Sequence, residues 1–227
     1  MKTVAMYLPQ YYQTSINDLR FCSGYTEWYA VLRAESYFSN HRQPRVPLND
    51  NYYNLLDVET MRWQQNIAKT YGIDGFCFYH YYFSPEKMAL EKPAEIFCQN
   101  RDIDMEFCFC WANESWGKSG NKWSNKFANP EQSDLIQTYG EKQQWGLHYQ
   151  YLSKFFKDER YIKINGKPIF LIYRPDEIPN LTEMIEFWNE MARYDGYAGI
   201  YIVGINMKSS ITGIEAVLYH HENYDGT

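Results

Sequence analysis

Two patterns of hydrophobic positions alternate along the chain. Short runs that are apolar at nearly every position alternate with longer segments in which apolar residues recur every three to four positions. A strand of the first kind is buried on both faces, as parallel strands covered by helices are. The alternation therefore predicts βα units and a parallel sheet. The six predicted strands are residues 3–8, 73–81, 106–111, 168–173, 200–205 and 215–220.

Two segments, 58–71 and 181–194, have the spacing of amphipathic helices. The first ends before Gly72, which is suited to a left-handed C-cap. The second follows Asn180 as the predicted N-cap, with Glu183 at the reciprocal position of a capping box. Both segments therefore predict helices that cover the sheet.

Two further segments are predicted as helices. Residues 130–158 have helical spacing near both ends, although we expect Gly140 and Gly146 to interrupt the helix. Residues 86–100 form the other predicted helix.

The pair Asn165-Gly166 is typical of a type I′ hairpin and predicts a short antiparallel strand before the fourth barrel strand. A doubly wound open sheet is the alternative fold, but its nucleotide-binding forms have a glycine-rich first turn, and residues 8–12 contain no glycine. We therefore predict one α/β domain over residues 1–227, of the (β/α)8 TIM-barrel type. Only about six of the eight βα units are placed, so the barrel is predicted to be incomplete, with open edges through which it could self-associate.

Composition and charge exclude several classes of protein. A chain of 227 residues that is 45% hydrophobic can bury one sizeable core. A net charge of −6 without a dense Lys/Arg cluster argues against nucleic-acid binding. The sequence has no apolar run long enough to span a membrane and no signal peptide, and five scattered cysteines fit a cytoplasmic protein with reduced thiols.

Aromatic residues make up 19% of the chain, and their flat rings suit the apolar faces of sugars, although a tyrosine-rich core is the alternative. The chemistry of a barrel takes place at the C-terminal ends of its strands. The polar and aromatic residues that gather at these ends are Tyr7, Glu27, Trp28, His80, Tyr81, Trp111, Asn113, Glu114, Trp116, Tyr173 and Arg174. Their clustering predicts a site on this face.

The segment Trp111-Ala112-Asn113-Glu114-Ser115-Trp116 is the sharpest of these groups. A carboxyl group in apolar surroundings can serve as a general acid, and the neighbouring amide can hold a sugar hydroxyl. We therefore predict Glu114 as a catalytic residue, hydrogen-bonded to Asn113, a tyrosine or His80. The alternative is that these residues cap the next helix.

Glu27 is the second candidate catalytic residue because it lies beside Trp28, with a loop carboxylate bound by backbone amides as the alternative. His80 could donate to a ligand or be a buried core residue. Residues 220–222, His-His-Glu, resemble metal ligands only superficially, because neighbours on a strand point to opposite faces. Residues 102–104 form an Asp-Ile-Asp motif that precedes a strand, so a helix-to-strand loop is favoured over a nucleotide-sugar site. Neither metal nor cofactor is predicted.

At these residues the sequence resembles the WbsX-type glycosyltransferase family, which is similar to the endo-α-mannosidase-like glycoside hydrolases of family 99. The matching motifs cover nearly the whole chain and include Tyr7-Leu8-Pro9-Gln10-Tyr11, Gly24-Tyr25-Thr26-Glu27-Trp28, Tyr79-His80-Tyr81, Trp111-Ala112-Asn113-Glu114-Ser115-Trp116 and Gly166-Lys167-Pro168 through Tyr173-Arg174-Pro175.

The resemblance implies a (β/α)8 barrel that acts on a bacterial polysaccharide such as O-antigen or capsule. It also implies sugar-binding roles for Tyr7, Glu27, Trp28, His80, Trp111, Asn113 and Glu114. The family's catalytic carboxylates are expected in an N-E-W-x-E-G segment, which residues 1–227 do not contain.

Three functions follow as hypotheses. The first is cleavage or transfer of glycosyl units by carboxylate acid/base chemistry, with an oligosaccharide or polysaccharide as substrate. The second is a glycosyltransferase that uses a nucleotide sugar. The third is a non-catalytic barrel fragment that binds glycan.

Overall fold

The computed structural model describes residues 2–117, 135–208 and 210–219. Six strands form one parallel sheet in the order of the chain, and two short strands pair antiparallel with the second and the fourth of them. The strands are β1 (Val4–Tyr7), β2 (Gly75–Ser84), β3 (Lys87–Ala89), β4 (Glu106–Trp111), β5 (Lys163–Ile164), β6 (Lys167–Ile172), β7 (Tyr201–Ile205) and β8 (Ala216–Leu218).

This sheet confirms the predicted α/β half-barrel. Each predicted strand overlaps one strand of the parallel path β1-β2-β4-β6-β7-β8. Consecutive parallel strands in chain order are the arrangement of a TIM barrel. Within the described residues, the path ends at β1 and β8, as the incomplete barrel predicts. The hairpin is also confirmed, because Asn165 and Gly166 have φ angles of 51° and 74°, as a type I′ turn requires.

Helices connect successive strands and cover one face of the sheet. Those in the described part of the chain are α1 (Ser15–Arg20), α2 (Glu27–Leu32), α3 (Val58–Thr70), α4 (Lys92–Gln99), α5 (Lys142–Phe156) and α6 (Leu181–Tyr194), with short 3-10 helices at Leu48–Asp50 and Pro175–Glu177. The predictions for α3 and α6 are confirmed.

The structure corrects two details of the predicted 130–158 helix, whose first residues lie outside the described part. Gly146 does not interrupt α5. A Cβ atom at this position would lie 3.8 Å from the ring of Phe187 on α6, an ordinary van der Waals distance, so the helix contact would accept a small side chain here. Gly140 does lie outside the helix, and its φ of 59° is the left-handed conformation that glycine adopts readily.

Two other helix predictions were partly wrong. Residues 86–100 contain β3 followed by α4, and Leu90 between them has a φ of 60° that no helix accommodates. Asn180 precedes α6, but its side chain makes no capping bond. The capping box is found on α5 instead, between Glu141 and Gln144.

The two faces of the sheet have different partners. Every second side chain along a strand faces the helices. On that face the ring centroids of Phe78 and Phe97 lie 5.3 Å apart, and those of Phe109 and Phe155 lie 4.9 Å apart. The intervening residues, including Tyr81, lie on the concave face, which corresponds to the inside of a barrel.

The Asp-Ile-Asp motif lies in a loop before β4, at the N-terminal edge of the sheet. Asp102 accepts a hydrogen bond of 2.6 Å from Arg62, and Asp104 one of 2.5 Å from Lys69. The preference for a helix-to-strand loop is confirmed, since both carboxylates pair with cations of α3 on the face opposite to the predicted site.

Candidate functional site

Glu114 and Arg174 form an ion pair at the C-terminal edge of the sheet. Glu114 follows β4 and Arg174 follows β6, and the Arg174 Nε–H donates to the Glu114 carboxylate. The side chains are 39% and 43% exposed, so the pair is open to solvent on one side. This partner corrects the expected bond to Asn113, a tyrosine or His80. The helix-cap alternative fails for α5, the next described helix, because Glu141 caps it.

Asn113 is fully buried and connects the ends of β4 and β6. Its side-chain nitrogen donates to the carbonyl oxygen of Arg174 at 2.8 Å, and its side-chain oxygen accepts from the Arg174 N–H at 2.8 Å. The same nitrogen lies 3.3 Å from the Tyr139 hydroxyl, which donates to the Asn113 carbonyl at 3.1 Å. The buried amide therefore positions Arg174, while the substrate contact predicted for Asn113 stays a prediction.

Glu27 is the first residue of α2 and lies in a partly desolvated position. Burial raises the pKa of its carboxyl group, because the charged form loses hydration. The pKa of Tyr81 is raised chiefly by burial and further by Tyr79, Cys110, Glu114 and Glu27. The charges of Glu27 and Glu114 therefore both act on the Tyr81 hydroxyl group. The two candidate catalytic carboxyl groups thus lie in the same concave region.

Aromatic rings surround these carboxylates. The ring centroid of Trp28 lies 4.8 Å from that of Tyr11 and 5.0 Å from that of Tyr53, and the Trp28 Nε1–H donates to the Tyr53 carbonyl at 2.9 Å. Trp116 lies 5.0 Å from Tyr81 in an edge arrangement. These half-buried rings offer flat apolar surfaces beside polar groups, as sugar recognition requires.

Three predicted substrate contacts face the helices instead of the concave side. The Tyr7 hydroxyl donates to Gln64 of α3 at 2.6 Å, and the indole N–H of Trp111, a residue 2% exposed, donates to a β2 carbonyl at 3.0 Å. His80 is 4% exposed, and its Nε2 lies 2.9 Å from Nε2 of His148 on α5. Strand alternation directs these three side chains into the sheet–helix layer, and their contacts with a substrate stay predictions.

The comparison with sequence families decides the membership of the chain. The sequence profile of the family described as "Glycosyltransferase WbsX" matches residues 3–225. The chain belongs to this family. WxcX of Xanthomonas campestris pv. campestris strain B100, which carries the description "Uncharacterized protein WxcX", is 30% identical over 200 residues. That match covers 88% of this chain and 28% of WxcX, so the WbsX-family chain spans less than a third of the relative's length.

Solved structures support the fold of this WbsX-family chain. The GH99 endo-alpha-mannosidase from Bacteroides thetaiotaomicron superimposes with a TM-score of 0.54 at 12% identity, covering 95% of this chain and 60% of the mannosidase. The same enzyme in complex with BIS-TRIS-propane gives 0.55 at 12% identity, with 95% and 57% covered. At this identity the similarity concerns the fold alone.

The sequence did not predict two residues of the candidate site. Tyr11 packs on Trp28, and its pKa is raised by burial and by the charge of Glu27. Its place after the first strand was a usable signal. Tyr139, which bonds to Asn113, lies 26 residues along the chain, and no local pattern connects the two.

A cavity of about 130 Å3 adjoins Arg174 at the ends of β6 and β7. Its lining includes Tyr173, Arg174, Ile205, Asn206 and Lys208. It extends the candidate site beyond the ion pair and includes two of the predicted substrate-binding residues, Tyr173 and Arg174.

The described part of the chain contains neither a metal-binding cluster nor a membrane-spanning helix. In the described ranges, no three His, Cys, Asp or Glu side chains are arranged to hold a metal ion. Residues 220–222 lie outside those ranges. None of the helices in the described ranges is long and apolar enough to cross a bilayer.

Proposed function

We propose that this WbsX-family domain binds a bacterial glycan on its concave face and takes part in cleaving or transferring a glycosyl unit by carboxylate acid/base chemistry. The observation that carries the proposal is the pair of carboxyl groups near Tyr81. One, Glu27, has a pKa raised by burial, and the other, Glu114, is paired with Arg174.

Different environments suit the two carboxyl groups to different tasks. A raised pKa keeps the Glu27 carboxyl protonated to higher pH, as a group that donates a proton to a leaving oxygen requires. Glu114 accepts a hydrogen bond from the Arg174 guanidinium group, and its carboxyl group can accept hydrogen bonds from sugar hydroxyls or stabilise positive charge that develops on the sugar ring. The scheme needs no nucleotide or metal.

The proposed substrate is a neutral, hydroxyl-rich oligosaccharide or polysaccharide. Trp28, Tyr81 and Trp116 offer ring faces, and Arg174 is already paired with carboxylates, because its Nη1 also lies 3.5 Å from Glu177. An anionic sugar would have to compete with Glu114 and Glu177 for Arg174. We expect the reaction in the cytoplasm, where the five thiols, all unpaired in the structure, would stay reduced.

Binding and turnover separate the alternatives. We would titrate α-linked manno-oligosaccharides, suggested by the structural neighbours, and fragments of bacterial O-antigens and capsules into the full chain by calorimetry, and assay each for cleavage or transfer. Glu27→Gln should abolish turnover while leaving binding largely intact. Glu186→Gln, an exposed carboxylate on α6, is the matched control and should change neither. Binding of wild type without turnover would support the non-catalytic alternative.

The family description favours a second candidate, a glycosyltransferase that uses a nucleotide sugar. A thermal-shift screen with UDP-, GDP- and dTDP-sugars tests it directly. Stabilisation by one nucleotide sugar, and by its nucleoside diphosphate alone, would favour this candidate over the carboxylate mechanism.

A further inference from the structure

Residues 32–48, between α2 and the 3-10 helix Leu48–Asp50, concentrate exposed apolar side chains. The exposed fractions are 88% for Tyr37, 67% for Phe38, 62% for Val46 and 85% for Leu48. Single exposed apolar residues are common on protein surfaces, but four of them within residues 37–48 indicate an interaction site.

The loop is held in shape by its own hydrogen bonds. The Tyr37 N–H donates to Nδ1 of His41 at 3.2 Å, and the His41 N–H donates to the Phe38 carbonyl at 3.1 Å. The ring of Phe38 stacks on that of His41 with centroids 4.7 Å apart and planes 10° from parallel. The turn therefore presents the outer faces of Tyr37 and Phe38 to solvent.

The charge of the loop is opposite to that of the whole chain. Residues 32–48 contain Arg33, Arg42 and Arg45 against the single acidic residue Glu35, whereas the chain carries a net charge of −6. Arg42 and Arg45 are exposed and lie close in sequence to the apolar side chains. Cationic groups among projecting aromatic and aliphatic side chains complement a surface that is anionic outside and apolar beneath.

We propose that residues 32–48 form a membrane-contact loop that inserts Tyr37, Phe38, Val46 and Leu48 into the interface of a bilayer containing anionic lipid. Aromatic and aliphatic side chains enter the boundary between headgroups and acyl chains, and arginines bind the lipid phosphates. A protein partner is the alternative occupant, because aromatic residues and arginine are also enriched at protein interfaces, and vesicle binding distinguishes the two.

The proposal goes beyond the proposed function and does not depend on it. The loop begins at the end of the helix that carries Glu27, so contact with a bilayer would hold the candidate site beside the membrane surface. Two reversible contributions, apolar and electrostatic, should both be needed for binding.

Co-sedimentation of the full chain with vesicles tests the proposal. One set contains phosphatidylcholine with about a third phosphatidylglycerol, and the other phosphatidylcholine alone. We expect the wild type to bind the anionic vesicles and to be released by salt. The double variant Phe38→Ser/Leu48→Ser should bind at least tenfold more weakly. Arg42→Gln/Arg45→Gln should lose the preference for anionic lipid.

The matched control is Tyr71→Ser/Tyr194→Ser, which removes two exposed rings, 79% and 94% exposed, outside the loop and should bind as the wild type does. Melting temperatures verify that each variant is folded. Failure of the wild type to bind either vesicle, or equal loss in the control, would overturn the proposal. A wild-type dimer in light scattering that Phe38→Ser/Leu48→Ser converts to a monomer would overturn it too, in favour of a second copy as the occupant.

Discussion

Asn113 holds both backbone polar groups of Arg174 through its side-chain amide, with each hydrogen bond 2.8 Å long. The next residue, Glu114, binds the Arg174 side chain. Two neighbouring residues at the end of β4 therefore fix one residue at the end of β6, first by its backbone and then by its guanidinium group. The position of the exposed ion pair depends on the buried amide.

Replacing Asn113 should destabilise the domain. Asn113→Ala removes an acceptor and a donor, so the Arg174 N–H and carbonyl lose their partners, which costs about 1–3 kcal/mol for each group that stays buried. Urea denaturation measures the loss. Gln150→Ala, at an exposed position of α5, is the control and should change the free energy of unfolding by less than about 0.5 kcal/mol. If Asn113→Ala lowered the free energy of unfolding by as little as the control, water would have to replace the hydrogen bonds of the amide.

Replacing Glu114 should affect ligand binding far more than stability. The Glu114–Arg174 pair is exposed, and pairs of this kind contribute about 0–1 kcal/mol. Glu114→Gln should therefore leave the melting temperature nearly unchanged. In a form that turns over a glycan, it should lower affinity or kcat/KM at least tenfold, about 1.4 kcal/mol. A sharp fall in melting temperature would identify Glu114 as a structural residue, and no change in either quantity would exclude it from the site.

Replacing Glu27 with glutamine should stabilise the domain at neutral and basic pH. It should also remove the carboxyl proton that is proposed to act in catalysis. Burial raises the folded-state pKa of Glu27, so ionisation opposes folding, and stability is lost as pH rises above the unfolded-state value of about 4.3. Glu27→Gln removes that loss. We expect its melting temperature to exceed that of the wild type at pH 8 and to approach it at pH 4, with Glu186→Gln as the control. A lower melting temperature at pH 8 would mean that the Glu27 carboxylate is stabilising.

The sequence predicted the strands well because their signal is local. In β4 and β6 nearly every side chain is apolar, since helices cover one face and the concave side is narrow, so a continuous hydrophobic run marks each strand. Helix details were harder where tertiary contacts decide them. Gly146 is helical and lies beside Phe187 of α6, and no pattern near residue 146 reveals that neighbour.

The site was predicted less completely, for a geometric reason. Strand alternation separates His80 from Tyr81, but alternation alone does not tell which parity faces the helices. The sequence therefore placed both residues in the site, whereas His80 lies against α5. The partner of Glu114 was equally inaccessible, because Arg174 is 60 residues away and meets it only through the parallel pairing of β4 with β6.

The buried pair His80–His148 should make the domain sensitive to acid. The two Nε2 atoms are 2.9 Å apart, so one ring donates its Nε2–H and the other accepts at an unprotonated Nε2, and protonating both rings would break the bond. Burial lowers the pKa of His80 to about 3, and burial together with His80 lowers that of His148. The groups that face the pair are aromatic, with the Tyr82 ring stacked 3.8 Å from His148 and the Tyr151 ring stacked 5.4 Å from His80.

Because the folded-state pKa of His80 lies below the unfolded value of about 6.5, its neutral form is fully accommodated above pH 6.5, and stability falls as the pH drops from there toward 3. The slope contributed by His80 should approach about 1.4 kcal/mol per pH unit. Urea denaturation at several pH values between 7 and 4 measures it. His80→Phe/His148→Phe should have a clearly shallower slope than the wild type, since phenylalanine cannot bind a proton, whereas Gln150→Ala, an exposed position without a titratable group, should keep the wild-type slope. If all three proteins lost stability in parallel, the pair would not be the source of the acid sensitivity.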